Sequence, residues 1–113
     1  MGNRPMTVRE NSDVTVIEVQ EDLGSYVASD LRETLEDLLM SKTQKIIVNM
    51  GNVDHINSTG VGAIVGAAKR IRQRGGDVKV CGLSDNIKRT FDLTGASSVV
   101  EIYESENSAI TAF

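Results

Sequence analysis

Apolar residues alternate with polar ones in some segments of the chain and recur at steps of three and four residues in others. These two patterns predict strands and helices, respectively. Segments rich in β-branched residues predict five strands, at 6–10, 14–20, 45–50, 77–81 and 99–103. The turn formers at 11–13 join the first two strands as a hairpin. Apolar stripes and capping residues predict four helices, at 26–40, from about Ser58 to the Gly75-Gly76 pair, between Ser84 and Gly95, and at 105–113.

The order of these elements, ββαβαβαβα, indicates an α/β fold. Strands that alternate with helices form parallel sheets with right-handed crossovers, and the initial hairpin makes this sheet mixed. We therefore expect a single domain over residues 1–113, with four to five strands and about four helices. Functional sites of such folds usually lie at the sheet edge where strands lead into helices. In the third helix, Ile87, Phe91 and Leu93 are predicted to face inward.

Composition and charge exclude several classes of function. Twelve basic and sixteen acidic residues give a net charge of −4, which disfavours nonspecific binding to nucleic acid. No apolar run approaches the roughly 20 residues of a membrane span, and the N-terminus lacks the apolar stretch of a secretory signal. One cysteine, Cys81, and one histidine are too few for an internal disulfide or a Cys/His zinc site. We expect a cytoplasmic monomer or weak dimer without cofactor, metal, nucleic-acid partner or membrane partner.

The segment 57–62, Asn-Ser-Thr-Gly-Val-Gly, lies at the start of the second helix and has two interpretations. In the first, Ser58 caps the helix, because a serine hydroxyl can accept one of the free N–H groups of the first turn. In the second, Ser58 carries a phosphate, because a helix N-terminus offers free N–H donors and the positive end of the helix dipole. The spacing of the residues leaves both interpretations open.

Three glycines, Gly60, Gly62 and Gly66, fall within two turns of this helix. A glycine inside a helix costs about 0.5–1 kcal/mol relative to alanine, so some other interaction must compensate. Either the helix packs closely on the sheet, or a partner or nucleotide approaches it closely. Both possibilities remain open at this point.

Catalytic and nucleotide-binding motifs fit the segment poorly. No Gly-Lys-Ser/Thr follows the glycines, and their spacing differs from the dinucleotide fingerprint. A serine hydrolase would need a Gly-x-Ser-x-Gly elbow and a base, and His55 is the only histidine available. We therefore expect a protein that is not an enzyme, and we assign no catalytic residue.

The same segment resembles the phosphorylation segment of the bacterial anti-sigma factor antagonists, whose fold is the STAS domain. The family pattern is Asp-Ser-Ser/Thr-Gly-Leu-Gly, then a helix, a Gly-Gly pair and a strand, and Arg-Gly-Gly-Asp-Val-Lys-Val-Cys follows here at 74–81. Segments 87–95 and 19–26 are also similar to their family counterparts. The resemblance covers almost the whole chain and implies a STAS-like single domain.

This resemblance implies a partner switch in which the protein is substrate and ligand. The unphosphorylated antagonist would bind an anti-sigma factor serine kinase and release the sigma factor. The kinase would inactivate it by phosphorylating Ser58, and a PP2C-type phosphatase would restore it. The implied partner-binding residues lie around Ser58 and in the preceding strand-to-helix loop: Leu23, Gly24, Ser25, Tyr26, Ile56, Asn57, Thr59, Gly60, Val61 and Gly62.

Two departures from the family pattern favour an alternative. Asn57 and Gly24 stand where the family has aspartates, so two carboxylates near Ser58 are missing. In the family pattern these carboxylates could orient the serine hydroxyl or a metal, and Asp22 is the residue here that could take over that role. The alternative is a STAS scaffold, or an accessory subunit of a larger complex, that never cycles a phosphate.

Overall fold

The computed structural model describes residues 5–113, and its elements follow the predicted order. Their bounds are β1 Met6–Asn11, β2 Val14–Val19, α1 Ser25–Met40, β3 Lys45–Asn49, α2 Ser58–Arg72, β4 Asp77–Cys81, α3 Asp85–Thr94, β5 Glu101–Tyr103 and α4 Glu106–Thr111. The sequence did not predict the short 3₁₀ turn at Ala96–Ser98. Residues 1–4, where no secretory signal is expected, lie outside the described residues.

The five strands form one mixed sheet in the order β1-β2-β3-β4-β5. The hairpin pairs β1 and β2 antiparallel, and the remaining neighbours are parallel. A helix follows each of β2, β3 and β4 and returns the chain to the next parallel strand, the crossover connection that parallel strands need. The predicted α/β class, strand number and helix number are confirmed. Within residues 5–113, no helix is long and apolar enough to cross a membrane.

The sheet has a large core on one face and a small one on the other. Helices α1, α2 and α3 bury their apolar stripes against the first face; fully buried members of this core include Ile17, Leu31, Ile46, Ile64, Ile71 and Phe91. The second face is covered by α4, and its small core consists of Val14, Val16, Ile47, Cys81 and Ala109. Burial raises the pKa of the Cys81 thiol to about 11, so the predicted core cysteine stays protonated at neutral pH.

Helix α4 is attached to the sheet by a part-buried carboxylate. Glu106 accepts hydrogen bonds from Arg9 and Asn11 on β1 and from Asn49 on β3, at 2.6 to 3.1 Å. The hydrogen bonds from Arg9 are the main cause that lowers the pKa of Glu106 to about 2. A helix of six residues is too short to be stable alone, so these contacts and its apolar face hold it in place.

Two details of the prediction are wrong, namely where α2 ends and which way Leu93 faces on α3. Helix α2 ends at Arg72, and the Gly75-Gly76 pair lies in the turn that follows it. A Cβ on Gly76 would lie only 2.3 Å from the carbonyl oxygen of Gln44, so this position requires glycine. The prediction that Leu93 faces inward is wrong, because its side chain is 80% exposed. Leu93 lies two residues beyond the buried Phe91, which places it on the opposite side of the helix.

Candidate functional site

Ser58 lies where the sequence placed it, at the sheet edge where the parallel strands end. It is the first residue of α2 and it is exposed. The preceding residue, Asn57, caps the helix: its side-chain oxygen accepts the backbone N–H of Gly60 at 2.9 Å. Among residues 5–113, the structure gives the Ser58 hydroxyl no hydrogen-bond partner. Ser58 is therefore not the N-cap, and the capping interpretation of this serine is wrong.

The departure at Asn57 preserves the cap and removes a charge. An amide oxygen accepts the N–H of Gly60 as a carboxylate oxygen would, and asparagine and aspartate are similarly good N-caps. The first turn of α2 contains no acidic residue. The start of the helix therefore has a side-chain cap that does not involve Ser58 and no acidic residue in its first turn.

Asp22 does not take over the role of the missing carboxylates. Its Oδ1 accepts the backbone N–H groups of Asp54 and His55, at 2.8 and 3.3 Å, and not the hydroxyl of Ser58. The hydrogen bond from Asp54 is the main cause that lowers the pKa of Asp22. Within residues 5–113, no group of three or more His, Cys, Asp or Glu side chains could hold a metal. The expectation that Asp22 orients the serine hydroxyl or a metal is therefore corrected.

The imidazole of His55 does not form a catalytic pair with Ser58. Its Nε2 lies 3.5 Å from a carboxylate oxygen of Asp54, and both side chains are mostly exposed. In the described part of the chain, no other histidine is present to act as a base. The arrangement offers Ser58 as an acceptor of a group and not as an activated nucleophile.

The presence of glycine at three positions in α2 does not have a single explanation. Gly60 is buried, and a Cβ there would lie 2.9 Å from Cγ1 of Ile56, so close packing requires glycine at this position. A Cβ on Gly62 or Gly66 would have no heavy atom within 4 Å beyond its own helix and chain neighbours. Close packing against Ile56 in the preceding loop therefore explains Gly60, whereas packing within the domain does not explain Gly62 or Gly66, which border a groove of about 120 Å³ between α1 and α2.

The implied partner-binding residues divide by exposure. Gly24, Ser25, Tyr26, Thr59 and Gly62 are exposed, and Ile56 and Asn57 are half-buried. The remaining three are buried: Leu23, Gly60 and Val61. Leu23 and Val61 belong to the main core, so their side chains mainly support the surface from beneath. Partner contact by the exposed members stays a prediction.

The sequence did not predict a second groove that begins at Ser58. It runs between α2 and the end of α3, has a volume of about 360 Å³, and is lined by Ser58, Val61, Gly62, Val65, Lys69, Thr94, Gly95, Ala96 and Val99. The 3₁₀ turn at Ala96–Ser98 brings Ala96 and Val99 to this groove. No local pattern in the sequence predicted that turn.

This geometry agrees with a comparison to known families. The family model of the STAS domain matches residues 5–109, which is nearly all of the described chain. The chain belongs to the STAS domain family. The fold that the sequence resemblance implied is thereby confirmed.

Individual relatives are similar to this STAS domain over most of their length. The anti-sigma-B factor antagonist of Listeria monocytogenes is 33% identical over 96 residues, which cover 85% of this chain and 84% of the relative. The crystal structure of an anti-sigma factor antagonist from Mycobacterium paratuberculosis has a TM-score of 0.85 at 18% identity, covering 95% and 91% of the two chains. The Bacillus cell fate determinant SpoIIAA in its phosphorylated form has a TM-score of 0.74 at 17% identity, covering 95% and 97%. The two structural likenesses concern the fold.

Proposed function

We propose that this STAS domain is an anti-sigma factor antagonist that binds an anti-sigma factor serine kinase and is inactivated by phosphorylation of Ser58. The observation that carries the proposal is the state of Ser58, which is exposed at the first position of α2 while Asn57 supplies the cap. The name of the Listeria relative and the phosphorylated state of SpoIIAA support the same function.

In the proposed phosphoryl transfer, this domain is the substrate and the kinase supplies the catalytic groups. The Oγ of Ser58 attacks the γ-phosphorus of ATP, the bond to the bridging oxygen breaks, and ADP leaves. The serine proton passes to a base of the kinase, since the described residues place no base beside Ser58. A PP2C-type phosphatase hydrolyses the ester to serine and inorganic phosphate. The STAS domain supplies the acceptor oxygen and the surface that the kinase recognises.

Electrostatics explains how one phosphate would switch binding. A phosphate adds almost two negative charges, which takes the formal net charge from −4 to about −6. The helix N-terminus tolerates this charge, because its dipole and free N–H groups favour anions. At an interface, however, the dianion must lose water and would lie near the nucleotide phosphates of the kinase. The phosphate therefore disfavours the complex without unfolding the domain.

The phosphate transfer can be tested by intact-mass measurement. The protein is incubated with Mg·ATP and the purified anti-sigma factor kinases of its source organism, tested one at a time. The proposal predicts one added phosphate that maps to Ser58 and no addition to Ser58→Ala. No mass change with a kinase of demonstrated activity would contradict phosphorylation. It would favour the non-cycling scaffold, the alternative that Asn57 and Gly24 favour.

A further inference from the structure

The segment that leads to Ser58 is paired with the connection between β2 and α1. The N–H of Leu23 donates to the carbonyl of His55 at 2.8 Å, and the N–H of Asn57 donates to the carbonyl of Leu23 at 2.9 Å. Leu23 and Ile56 thus form a parallel bridge beyond the ends of the regular strands. Because the side chain of Leu23 is only 1% exposed, the main core holds this bridge in place.

The side chain of Asp22 extends this pairing by one further step. The regular β2–β3 ladder ends at the pair Glu18 and Asn49, so the backbone that follows needs other acceptors. One carboxylate oxygen of Asp22 accepts two consecutive N–H groups, those of Asp54 and His55. Hydrogen bonds to an ionised acceptor are stronger than those between neutral groups. Asp22 therefore fixes the loop three residues before Ser58.

A continuous series of hydrogen bonds connects this carboxylate to the first turn of α2. Asp22 holds the N–H of His55, and the carbonyl of His55 accepts from Leu23. Leu23 in turn holds Asn57, whose side chain caps the helix at Gly60. Ser58 lies between Asn57 and Gly60, the last two residues whose backbone N–H groups this series of hydrogen bonds fixes.

We propose that Asp22 is a positioning residue for the modification of Ser58. Its carboxylate fixes the loop backbone, and the series of hydrogen bonds fixes the backbone on both sides of Ser58, so that the serine is presented at one place on the surface without any contact between Asp22 and its hydroxyl. This inference rests on the proposed function, because it takes Ser58 to be the residue that a kinase modifies. Correct orientation of a reacting group accelerates a transfer step, so its loss lowers kcat more than it raises KM.

The competing explanation is direct contact, because the side chain of Asp22 is exposed and its charge is available to a partner. Asp22→Asn separates the two, since the amide oxygen can accept the same two N–H groups but carries no charge. Asp22→Ala removes both the acceptor and the charge. Glu21→Gln is the matched control: it removes one charge from the same connection, and among residues 5–113 the structure gives the Glu21 side chain no hydrogen bond.

Phosphorylation kinetics with the purified kinase and Mg·ATP test the proposal. Asp22→Ala is expected to lower kcat/KM about tenfold, mainly through kcat, a change equivalent to about 1.4 kcal/mol. Asp22→Asn and Glu21→Gln are expected to stay within about twofold of the unsubstituted protein. Unchanged kinetics in Asp22→Ala would overturn the positioning role. Equal losses in Asp22→Asn and Asp22→Ala would overturn it in favour of direct contact.

Amide hydrogen exchange measured by NMR provides a readout that does not depend on the kinase. In Asp22→Ala we expect faster exchange at Asp54 and His55 and also at Asn57 and Gly60, with Asp22→Asn close to the unsubstituted protein. Faster exchange confined to Asp54 and His55 would show that the constraint does not reach the helix, and would overturn the proposal. If the unsubstituted protein accepts no phosphate, the proposed function fails together with this role. If it is phosphorylated and Asp22→Ala is equally fast, the positioning role alone fails.

Discussion

The side chain of Asn57 accepts the backbone N–H of Gly60 at 2.9 Å, so the residue before Ser58 caps α2. A capping serine would have its hydroxyl engaged with its own helix. Here Asn57 supplies the cap without Ser58, and the serine is exposed at the helix end that best tolerates an added anion. This division of roles between neighbouring residues is the basis of the proposed switch.

The cap can be tested by replacing Asn57. Asn57→Ala leaves the N–H of Gly60 without its partner and is expected to lower the free energy of unfolding by about 1 kcal/mol. Asn57→Asp keeps an acceptor in place and is expected to be as stable as the unsubstituted protein or slightly more stable, because a carboxylate suits the helix N-terminus. Urea denaturation at neutral pH measures both variants. An Asn57→Ala variant with unchanged stability would show that the hydrogen bond to Gly60 contributes nothing to the fold.

Gly60 and Gly62 form a matched pair of substitutions to alanine. Gly60→Ala places a Cβ against Ile56 and is expected to destabilise the domain by about 1–3 kcal/mol. Gly62→Ala meets open space and is expected to stabilise it by about 0.5–1 kcal/mol. Denaturation curves of the two variants measure this difference, and equal stabilities would contradict the packing described for Gly60.

Gly62→Ala also addresses why this exposed position carries glycine. If a partner approaches α2 closely, the more stable Gly62→Ala variant binds the kinase more weakly than the unsubstituted protein. We expect this result, because packing within the domain does not explain the glycine. A binding titration with purified kinase measures it. Unchanged binding would remove Gly62 from the predicted contact surface.

The carboxylate of Glu106 predicts a component of acid sensitivity. Its pKa is lowered to about 2 in the folded state, so its contribution is full above the ordinary value of 4.5 and is lost as pH falls toward 2. The shift corresponds to about 3 kcal/mol. In Glu106→Gln, the loss of stability between pH 7 and pH 3 is expected to be smaller than in the unsubstituted protein. Urea denaturation at both pH values measures it, with the exposed Glu33→Gln as control. Equal losses in all three proteins would refute the role given to Glu106.

Local patterns in the sequence predicted most of the fold. The strand at 77–81, the N-cap at Ser84 and the helix end at Gly95 are confirmed, because apolar period, capping chemistry and a left-handed glycine are local properties. The sheet follows from the order of the elements. The prediction for Leu93 is wrong because this residue, although apolar, lies outside the stripe that Ile87 and Phe91 form on α3.

The residues that support the site and α4 were harder to predict. Asp22 bonds to backbone groups 32 and 33 residues away, and Glu106 bonds to Arg9 across 97 residues. No periodicity or short motif encodes such pairings, since they exist only after the sheet has formed. The identity of the α2 cap was left open for a local reason: Asn57 and Ser58 are neighbours, and asparagine and serine are similarly good N-caps.

Substitution of Ser58 separates the hydroxyl from the charge that would replace it. Ser58→Ala is expected to keep kinase binding, because the cap does not depend on the hydroxyl. Ser58→Asp is expected to abolish binding, because it places a charge at the contact surface. Asn107→Asp, which adds an equal charge on α4 at the opposite face of the sheet, serves as the control and is expected to bind normally. Equal binding by the Ser58 variants would contradict a switch at this residue.

The affinity of the kinase for the unphosphorylated domain and for the domain fully phosphorylated on Ser58 tests the central claim most directly. Isothermal titration with purified kinase and Mg·ADP measures both without further phosphate transfer. The partner switch predicts that phosphorylation weakens binding at least about tenfold, within the range of known coupling energies. Equal affinities for the two forms would contradict it.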